Sequence, residues 1–266
     1  MVLFASDMHL HESDPLLVTR FFGALHEAVE RALARDEPPA LFLLGDLFEY
    51  WIGDDHVPDI AQDMAERLAK LAGRGARIFL MHGNRDFLLD VPLPSQPGVT
   101  RFSQRCGGVL LPDPAVIEVA GRRIVLTHGD ALCTDDTRYQ QWRALCRSTN
   151  WQQQFLSRPV TERLAMALGL RKQSLQAQAA TETIHDVNPA AVDALMTRLD
   201  ADLLIHGHTH LPQVHRWHTA RRPDEGTGSP ARRVGQSRTR WVLSDWAQSP
   251  PRGSVLSLAA AIPPAC

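Results

Sequence analysis

Apolar and polar positions along this chain fall into short blocks that switch between two periods. Residues 2–6 form a continuous apolar run closing on Ser6-Asp7 and read as a buried strand. Residues 15–34 carry Leu16, Leu17, Phe21, Leu25, Ala28, Val29 and Leu33 at near-helical spacing. A second strand at 40–44, a second helix at 60–71 and a third strand at 77–81 continue the alternation. Residues 116–119 and 123–127 predict two strands joined by a turn at Gly121, and 202–205 predicts another. Residues 188–199 read as a capped amphipathic helix with Pro189 at its first position. Strands at 241–244 and 255–258 close the series.

The alternation stops in two places. Residues 136–185 carry only helical signals: Trp142, Leu145, Trp151, Phe155, Leu156, Leu164, Met166, Leu168 and Leu170, among Arg138, Arg143, Arg147, Arg158, Arg163, Arg171 and Lys172. This stretch reads as a helical insertion over the strand ends; an ordinary packed helical layer would carry the same residues. Residues 219–239 are rich in Pro, Gly, Ser and Arg and read as a mobile surface loop within a hairpin. The expected division is a core of 1–135 and 186–260, an insertion at 136–185, and the loop within the core.

At 266 residues the chain suits one large α/β domain, with or without an insertion. A net charge of -2 gives no global field for nucleic acid or anionic membrane, so an anionic substrate must meet local cations or metal. Cys106, Cys133, Cys146 and Cys266 fit neither a zinc-knuckle nor a CxxC spacing and read as reduced thiols. The N-terminal run lacks the features of a signal peptide, and no stretch reaches the ~20 apolar residues of a membrane span. Any membrane contact is expected from the surface.

The strand ends hold the chemistry. Asp7 and His9 form a D-x-H pair, and in extended backbone residues two apart point the same way. Asp46 follows Gly45, Asn84 follows Gly83, and His128 precedes Gly129. His208 and His210 form an H-x-H pair. In parallel α/β sheets, ligand sites gather beyond the carboxyl ends of the strands. The set offers oxygens from Asp7, Asp46 and Asn84 and imidazoles from His9, His128, His208 and His210. That is too many donors for one ion and suits two sharing a bridge. Mixed imidazole and oxygen ligation without thiolate favours manganese, iron or zinc over calcium. Such a pair of ions can orient a hydroxide for in-line attack on phosphorus.

In that order the motifs D-x-H, G-D, G-N-[HR]-[DE], H-G-D and G-H-x-H resemble the calcineurin-like metallophosphoesterases, over nearly the whole chain. The resemblance implies a four-layer α/β architecture, a β-sandwich flanked by helices, with a dinuclear site at the strand ends. It implies one metal on Asp7, His9, Asp46 and His210 and another on Asp46, Asn84, His128 and His208, with Asp46 bridging. His206 and His82 are expected outside the ligand set.

Many members of that family carry a histidine after the asparagine; Arg85 stands there in this chain. An arginine cannot act as a general acid but can neutralise phosphate oxygens. That favours a leaving group needing no proton, such as the phosphate released from a pyrophosphate. The tracts 45–55, 83–89, 128–136 and 206–212 are similar to the UDP-2,3-diacylglucosamine diphosphatase family of lipid A biosynthesis. That similarity implies attack on the α-phosphorus of UDP-2,3-diacylglucosamine, two Mn2+ ions, and release of UMP and 2,3-diacylglucosamine 1-phosphate (lipid X). It implies peripheral attachment to the cytoplasmic face of the inner membrane, and no nucleic-acid partner.

It also implies that 136–185 is a cap holding the acyl chains, with cations for phosphate. Catalytic roles fall to Asp46, Asn84, Arg85 and His128, and substrate contacts to Asn84, Arg85, Asp136, Ser174, Gln178 and His208. Two departures stand out: the family's cap lysine is missing near Ala180-Thr181, and the 219–239 loop is longer than usual. The alternatives are another substrate class on the same fold, a nucleotide pyrophosphatase or cyclic nucleotide phosphodiesterase, or an inactive metal-binding scaffold.

Overall fold

The computed structural model describes residues 1–35, 38–180, 186–218, 237–247 and 251–258, with the side chains of 174–180 outside the described set. The expected four layers are present: two five-stranded sheets face each other, with helices on both outer faces.

The first sheet runs in the order β10 (Leu256–Leu258), β1 (Val2–Ala5), β2 (Ala40–Leu44), β3 (Arg77–Met81), β4 (Gly108–Leu111). Strands β1 to β4 are parallel and β10 is antiparallel at the edge. The second sheet runs β5 (Ala115–Val119), β6 (Arg122–Leu126), β7 (Leu203–His206), β9 (Ser237–Val242), β8 (Val214–His218). Its centre, β6-β7-β9, is parallel, and β5 and β8 close its edges antiparallel.

The period-two geometry of a strand sorts side chains between layers. From β1 and β2, Val2, Phe4, Ala40, Phe42 and Leu44 point between the sheets, where they meet Ile124, Leu126, Leu203 and Ile205. Phe42 stacks on Phe4 at 5.4 Å and on Phe79 at 4.6 Å, tying three strands together. The alternate positions Leu3, Ala5, Leu41 and Leu43 face outward against Phe21, Leu25 and Val29 of α1 (Pro15–Leu33) and Met64 and Leu68 of α2 (Asp59–Gly73). Because both faces are covered, the strands read as unbroken apolar runs. Each large side chain fully buried this way contributes ~1.5–3 kcal/mol. On the far side, Val125 and Leu204 pack on Val192, Leu195 and Met196 of α7 (Pro189–Arg198). The Asn188 carboxamide oxygen caps α7 by accepting from Ala190 N and Ala191 N, and Asp14 caps α1 through Leu17 N.

Residues 137–180 form three helices, α4 (Thr137–Cys146), α5 (Thr149–Leu156) and α6 (Val160–Ala180). Their apolar set divides. Phe155 and Leu156 are buried in the core beside α1 and α2, whereas Leu145, Met166, Leu168 and Leu170 are exposed. Short elements with little pattern of their own, α3 (Phe102–Arg105), β4 and β8, were not legible in the sequence. Strands β8 and β9 pair as a hairpin up to His218 and Ser237, and the loop expected at 219–239 lies largely outside the described residues. Cys106, Cys133 and Cys146 are buried free thiols. Among the described residues no helix is long and apolar enough to cross a membrane.

Candidate metal centre

The parallel strands β1, β2 and β3 of one sheet and β6 and β7 of the other stop at the same edge of the sandwich. His128 Nδ1 reaches across to Leu44 O at 2.9 Å, so the two sheets meet there. The loops leaving them run side by side: Asp7 N donates to Gly45 O, His9 N to Asp46 O, and Gly207 N to His128 O. Close approach requires glycine. Gly45 holds φ +88°, and a Cβ on it would lie 2.6 Å from Gly83 Cα. A Cβ on Gly207 would collide with the Asp7 carboxylate.

All seven side chains singled out in the sequence come together here. Asp7 Oδ1 lies 3.5 Å from His210 Nε2, and His210 Nε2 lies 3.3 Å from His9 Nε2. Asp46 faces both halves, with Oδ2 3.7 Å from His9 Nε2 and Oδ1 3.6 Å from His128 Nε2. Asn84 Oδ1 stands 3.0 Å from His128 Nε2 and 2.8 Å from His208 Nδ1. Two overlapping sets, Asp7-His9-His210 and Asp7-Asp46-His128, each bring their donor atoms within 4.8 Å of one another.

The expected geometry of the two pairs needs correction. Asp7 and His9 are not on extended backbone, since β1 ends at Ala5 and they hold φ +55° and +47°. His208 and His210 hold φ +69° and +55° and turn to different neighbours, His208 to Asn84 and His210 to Asp7 and His9. Asp46 is likewise at φ +50°. Left-handed backbone on non-glycine residues costs ~1–3 kcal/mol each and persists where the surroundings over-determine it. Here a ladder of inter-loop hydrogen bonds does so.

The donor set fits divalent cations. No lysine or arginine stands among the seven, and three of the four imidazoles have an acceptor near the ring nitrogen turned away from the cluster, as metal-binding imidazoles require. His9 Nδ1 lies 3.4 Å from Glu49 Oε2, His210 Nδ1 lies 3.5 Å from Asp245 Oδ2, and His128 Nδ1 faces Leu44 O. Charge follows the same pattern. Burial alone would raise the Asp7 pKa, yet contact with His210 and the charges of His128, His210 and His9 hold it well below the carboxylate range. Burial opposes protonation of His128, but the charges of Asp46, Asp7 and Asp130 push it up to about 9. Burial, then the neighbouring His128, brings His208 down to about 4 and leaves it a neutral donor.

The remaining expected residues are placed as follows. Arg85 is half-buried at the crevice, and its Nε is buried without a partner among the described residues. Its backbone N donates to Asp46 Oδ1 at 2.8 Å. Asp136 caps α4 by accepting from Tyr139 N. Ser174 and Gln178 lie on α6, with side chains outside the described residues, as does the position of the missing lysine. His206 and His82 stand apart from the ligand set, turned to Gly207 O and Leu89 O. Of the arginines expected to meet phosphate, five pair with carboxylates of the protein: Arg143 and Arg147 with Asp130, Arg163 with Asp55, Arg171 with Glu49 and, at the surface, Arg158 with Glu162.

Sequence reading missed the residues that hold the loops. Asp86 is fully buried; Oδ1 accepts from Gly83 N at 2.7 Å and Asp46 N at 3.3 Å, and Oδ2 from Leu47 N at 2.6 Å. Burial and the Asp46 charge raise its pKa to about 6. Glu49 and Asp245 orient His9 and His210 from loops far away in the chain. The one available signal was position: Asp86 and Asp130 each close a motif that carries a ligand.

The profile of the calcineurin-like phosphoesterase family matches residues 1–212. The chain is 41% identical over 245 residues to a UDP-2,3-diacylglucosamine hydrolase of Cellvibrio japonicus, covering 92% of this chain and 90% of that protein. It is 42% identical over 257 residues to the hydrolase of that name from Aeromonas salmonicida, covering 96% and 88%. It is 40% identical over 264 residues to the one from Xanthomonas campestris pv. campestris, covering 96% and 93%.

Proposed function

The chain belongs to the calcineurin-like phosphoesterase family and, within it, groups with the UDP-2,3-diacylglucosamine hydrolases, and from that premise we propose that it hydrolyses the pyrophosphate of UDP-2,3-diacylglucosamine to UMP and 2,3-diacylglucosamine 1-phosphate. The observation that carries the reading is the convergence of seven oxygen and imidazole donors at one edge of the sandwich, with Arg85 beside them. Two divalent cations, Mn2+ in this proposal, would supply an activated water and neutralise charge on the phosphates.

The chain's own residues do the rest. Asp7, His9, Asp46 and His210 would hold one cation, and Asp46, Asn84, His128 and His208 would hold the other. Arg85 Nε is without a partner among the described residues, and the guanidinium it belongs to can fork onto phosphate oxygens. A phosphate monoester leaves without needing a proton at neutral pH, consistent with an arginine where a general acid would otherwise stand. Asn84, Arg85, Asp136, Ser174, Gln178 and His208 contact the substrate in this reading.

Helices α4 to α6 serve as a cap for the acyl chains. Contacts that place them beside the crevice support this: the Tyr139 ring lies 6.0 Å from that of His208, and Arg171 pairs with Glu49, itself beside His9. This reading places the protein at the cytoplasmic face of an inner membrane, where exposed Leu145, Met166, Leu168 and Leu170, with Arg138, Arg158 and Lys172 nearby, offer apolar and cationic groups.

The test is direct. Purified protein with Mn2+ and UDP-2,3-diacylglucosamine in mixed micelles should release UMP and the lipid monophosphate. Asp46→Ala and His128→Ala should abolish nearly all turnover. Full activity in either variant would remove these residues from the centre, release of UDP in place of UMP would overturn the bond assigned, and no nucleotide release would overturn the substrate.

A further inference from the structure

The loop that carries Asn84 is held by more than its own turn. A Cβ on Gly83 would collide with the carboxylate and backbone N of Asp46, so this stretch packs tightly against the loop after β2. Hydrogen bonds on both sides of Gly83 then fix the orientation of its peptide groups. The Gly83 N–H donates to Asp86 Oδ1 at 2.7 Å. The Gly83 carbonyl accepts from Arg147 Nη2 at 2.9 Å, and that same nitrogen lies 3.3 Å from Asp130 Oδ2. The guanidinium also sits 5.8 Å from the ring centroid of Phe87 on the same loop. Asp130 is fully buried two residues after His128, and it further accepts from Tyr139 Oη at 2.6 Å and Arg143 Nε at 2.8 Å. Arg147 follows the last turn of α4. One nitrogen therefore ties together the loop after β3, the turn after β6 and the inserted helices.

We propose that Arg147 is a positioning residue for the hydrolysis. By fixing the Gly83 carbonyl it sets the direction of the Asn84 side chain, and by pairing with Asp130 it holds that loop in register with His128. The inference rests on the proposed function, because it concerns how Asn84 is presented to that chemistry. Asn84 Oδ1 stands 3.0 Å from His128 Nε2 and 2.8 Å from His208 Nδ1, so a shift of about 1 Å separates it from both, and misplacement of that size costs up to ~10²-fold in turnover. Arg143 is a built-in control. It pairs with the same carboxylate from within α4, and no hydrogen bond joins it to Gly83 among the described residues.

The experiment compares Arg147→Met with Arg143→Met in the full chain by thermal unfolding, Mn2+ calorimetry and steady-state hydrolysis. Each variant removes one charged partner from Asp130, so both should lower Tm by similar amounts. Only Arg147→Met should lower kcat, by ~10–100-fold with KM within about threefold, and weaken Mn2+ binding by ~10–100-fold, the usual effect of losing a group that orients a ligand. Equal kcat and equal Mn2+ affinity in the two variants would overturn the proposal, as would a rise in KM alone, which would make Arg147 a substrate contact. Should Arg147→Met not fold, Arg147→Gln and Arg143→Gln carry the same comparison. If the unaltered protein with Mn2+ releases no UMP, the substrate reading fails, while the calorimetric difference still decides the role of Arg147.

Discussion

Arg163 is the largest fully buried side chain among the described residues, with only 1% of its surface exposed. It enters from the first turns of α6 and closes on the 51–55 loop. Nη1 donates to Ile52 O and to Asp55 Oδ1, Nη2 donates to Asp55 Oδ2, and Nε reaches Arg158 O at 3.0 Å. Replacing it with methionine keeps much of the apolar stem and removes every one of these donors. The Asp55 carboxylate, 6% exposed, is then left without its cation. Breaking one side of such a buried pair costs about 3–5 kcal/mol. At ~2–4 °C per kcal/mol for a chain of this size, Arg163→Met should lower Tm by roughly 6–20 °C.

Urea and thermal denaturation measure this cost, and a double variant identifies its source. In Arg163→Met with Asp55→Leu, no orphaned charge remains, so the loss should be smaller than in Arg163→Met alone, since an apolar replacement of a whole buried pair is often neutral. A single-variant loss under about 1 kcal/mol, or a double-variant loss equal to the sum of the two singles, would refute the claim that this pair clamps α6 to the core.

Arg85→Ala should reduce turnover by ~10²–10³-fold, the cost of losing one preorganised charged donor. Its metal content, read by atomic absorption, should be unchanged, because the contact to Asp46 is made by the backbone N of Arg85. Asp86→Ala leaves the N–H groups of Gly83, Asp46 and Leu47 without their acceptor; at ~1–3 kcal/mol per orphaned group, denaturation should show a loss on the order of 3 kcal/mol or more, with weaker metal retention. The pH dependence has a definite sign. His128 is raised from 6.5 to about 9, so without cations its ion-pair stabilisation is complete below 6.5 and is lost as pH rises through 9. Cation binding needs the neutral ring. Mn2+ affinity should therefore rise by up to ~10-fold per pH unit across that window and flatten above it, with proton release visible in calorimetry across buffers. A pH-independent affinity would contradict the assignment of His128.

How much of this was legible in the sequence follows from where each signal resides. The strands β1, β2, β3, β6 and β7 are buried on both faces, so their apolar runs were unambiguous, and each ends on a residue whose chemistry is plain from its type. The seven donors could be named for that reason. Their backbone could not: the left-handed turns at Asp7, His9, Asp46, His208 and His210 arise from hydrogen bonds between loops, which no local pattern encodes. The arginines of 136–185 misled in the opposite direction. A cation in a helical stretch looks available to a phosphate, but Arg143, Arg147 and Arg163 face carboxylates 13 to 108 residues away in sequence. Asp86 and Asp130 looked like motif punctuation, yet each is a buried acceptor for several donors, a role visible only when those donors are placed in space.

The central claim is that these seven side chains hold a pair of cations. Crystals grown with Mn2+ and measured on both sides of the manganese absorption edge test it most directly. The account predicts two anomalous peaks ~3.5–4 Å apart, with the Asp46 carboxylate between them, Asp7, His9 and His210 around one, and Asn84, His128 and His208 around the other. A single peak, or none among these residues at saturating Mn2+, would contradict it.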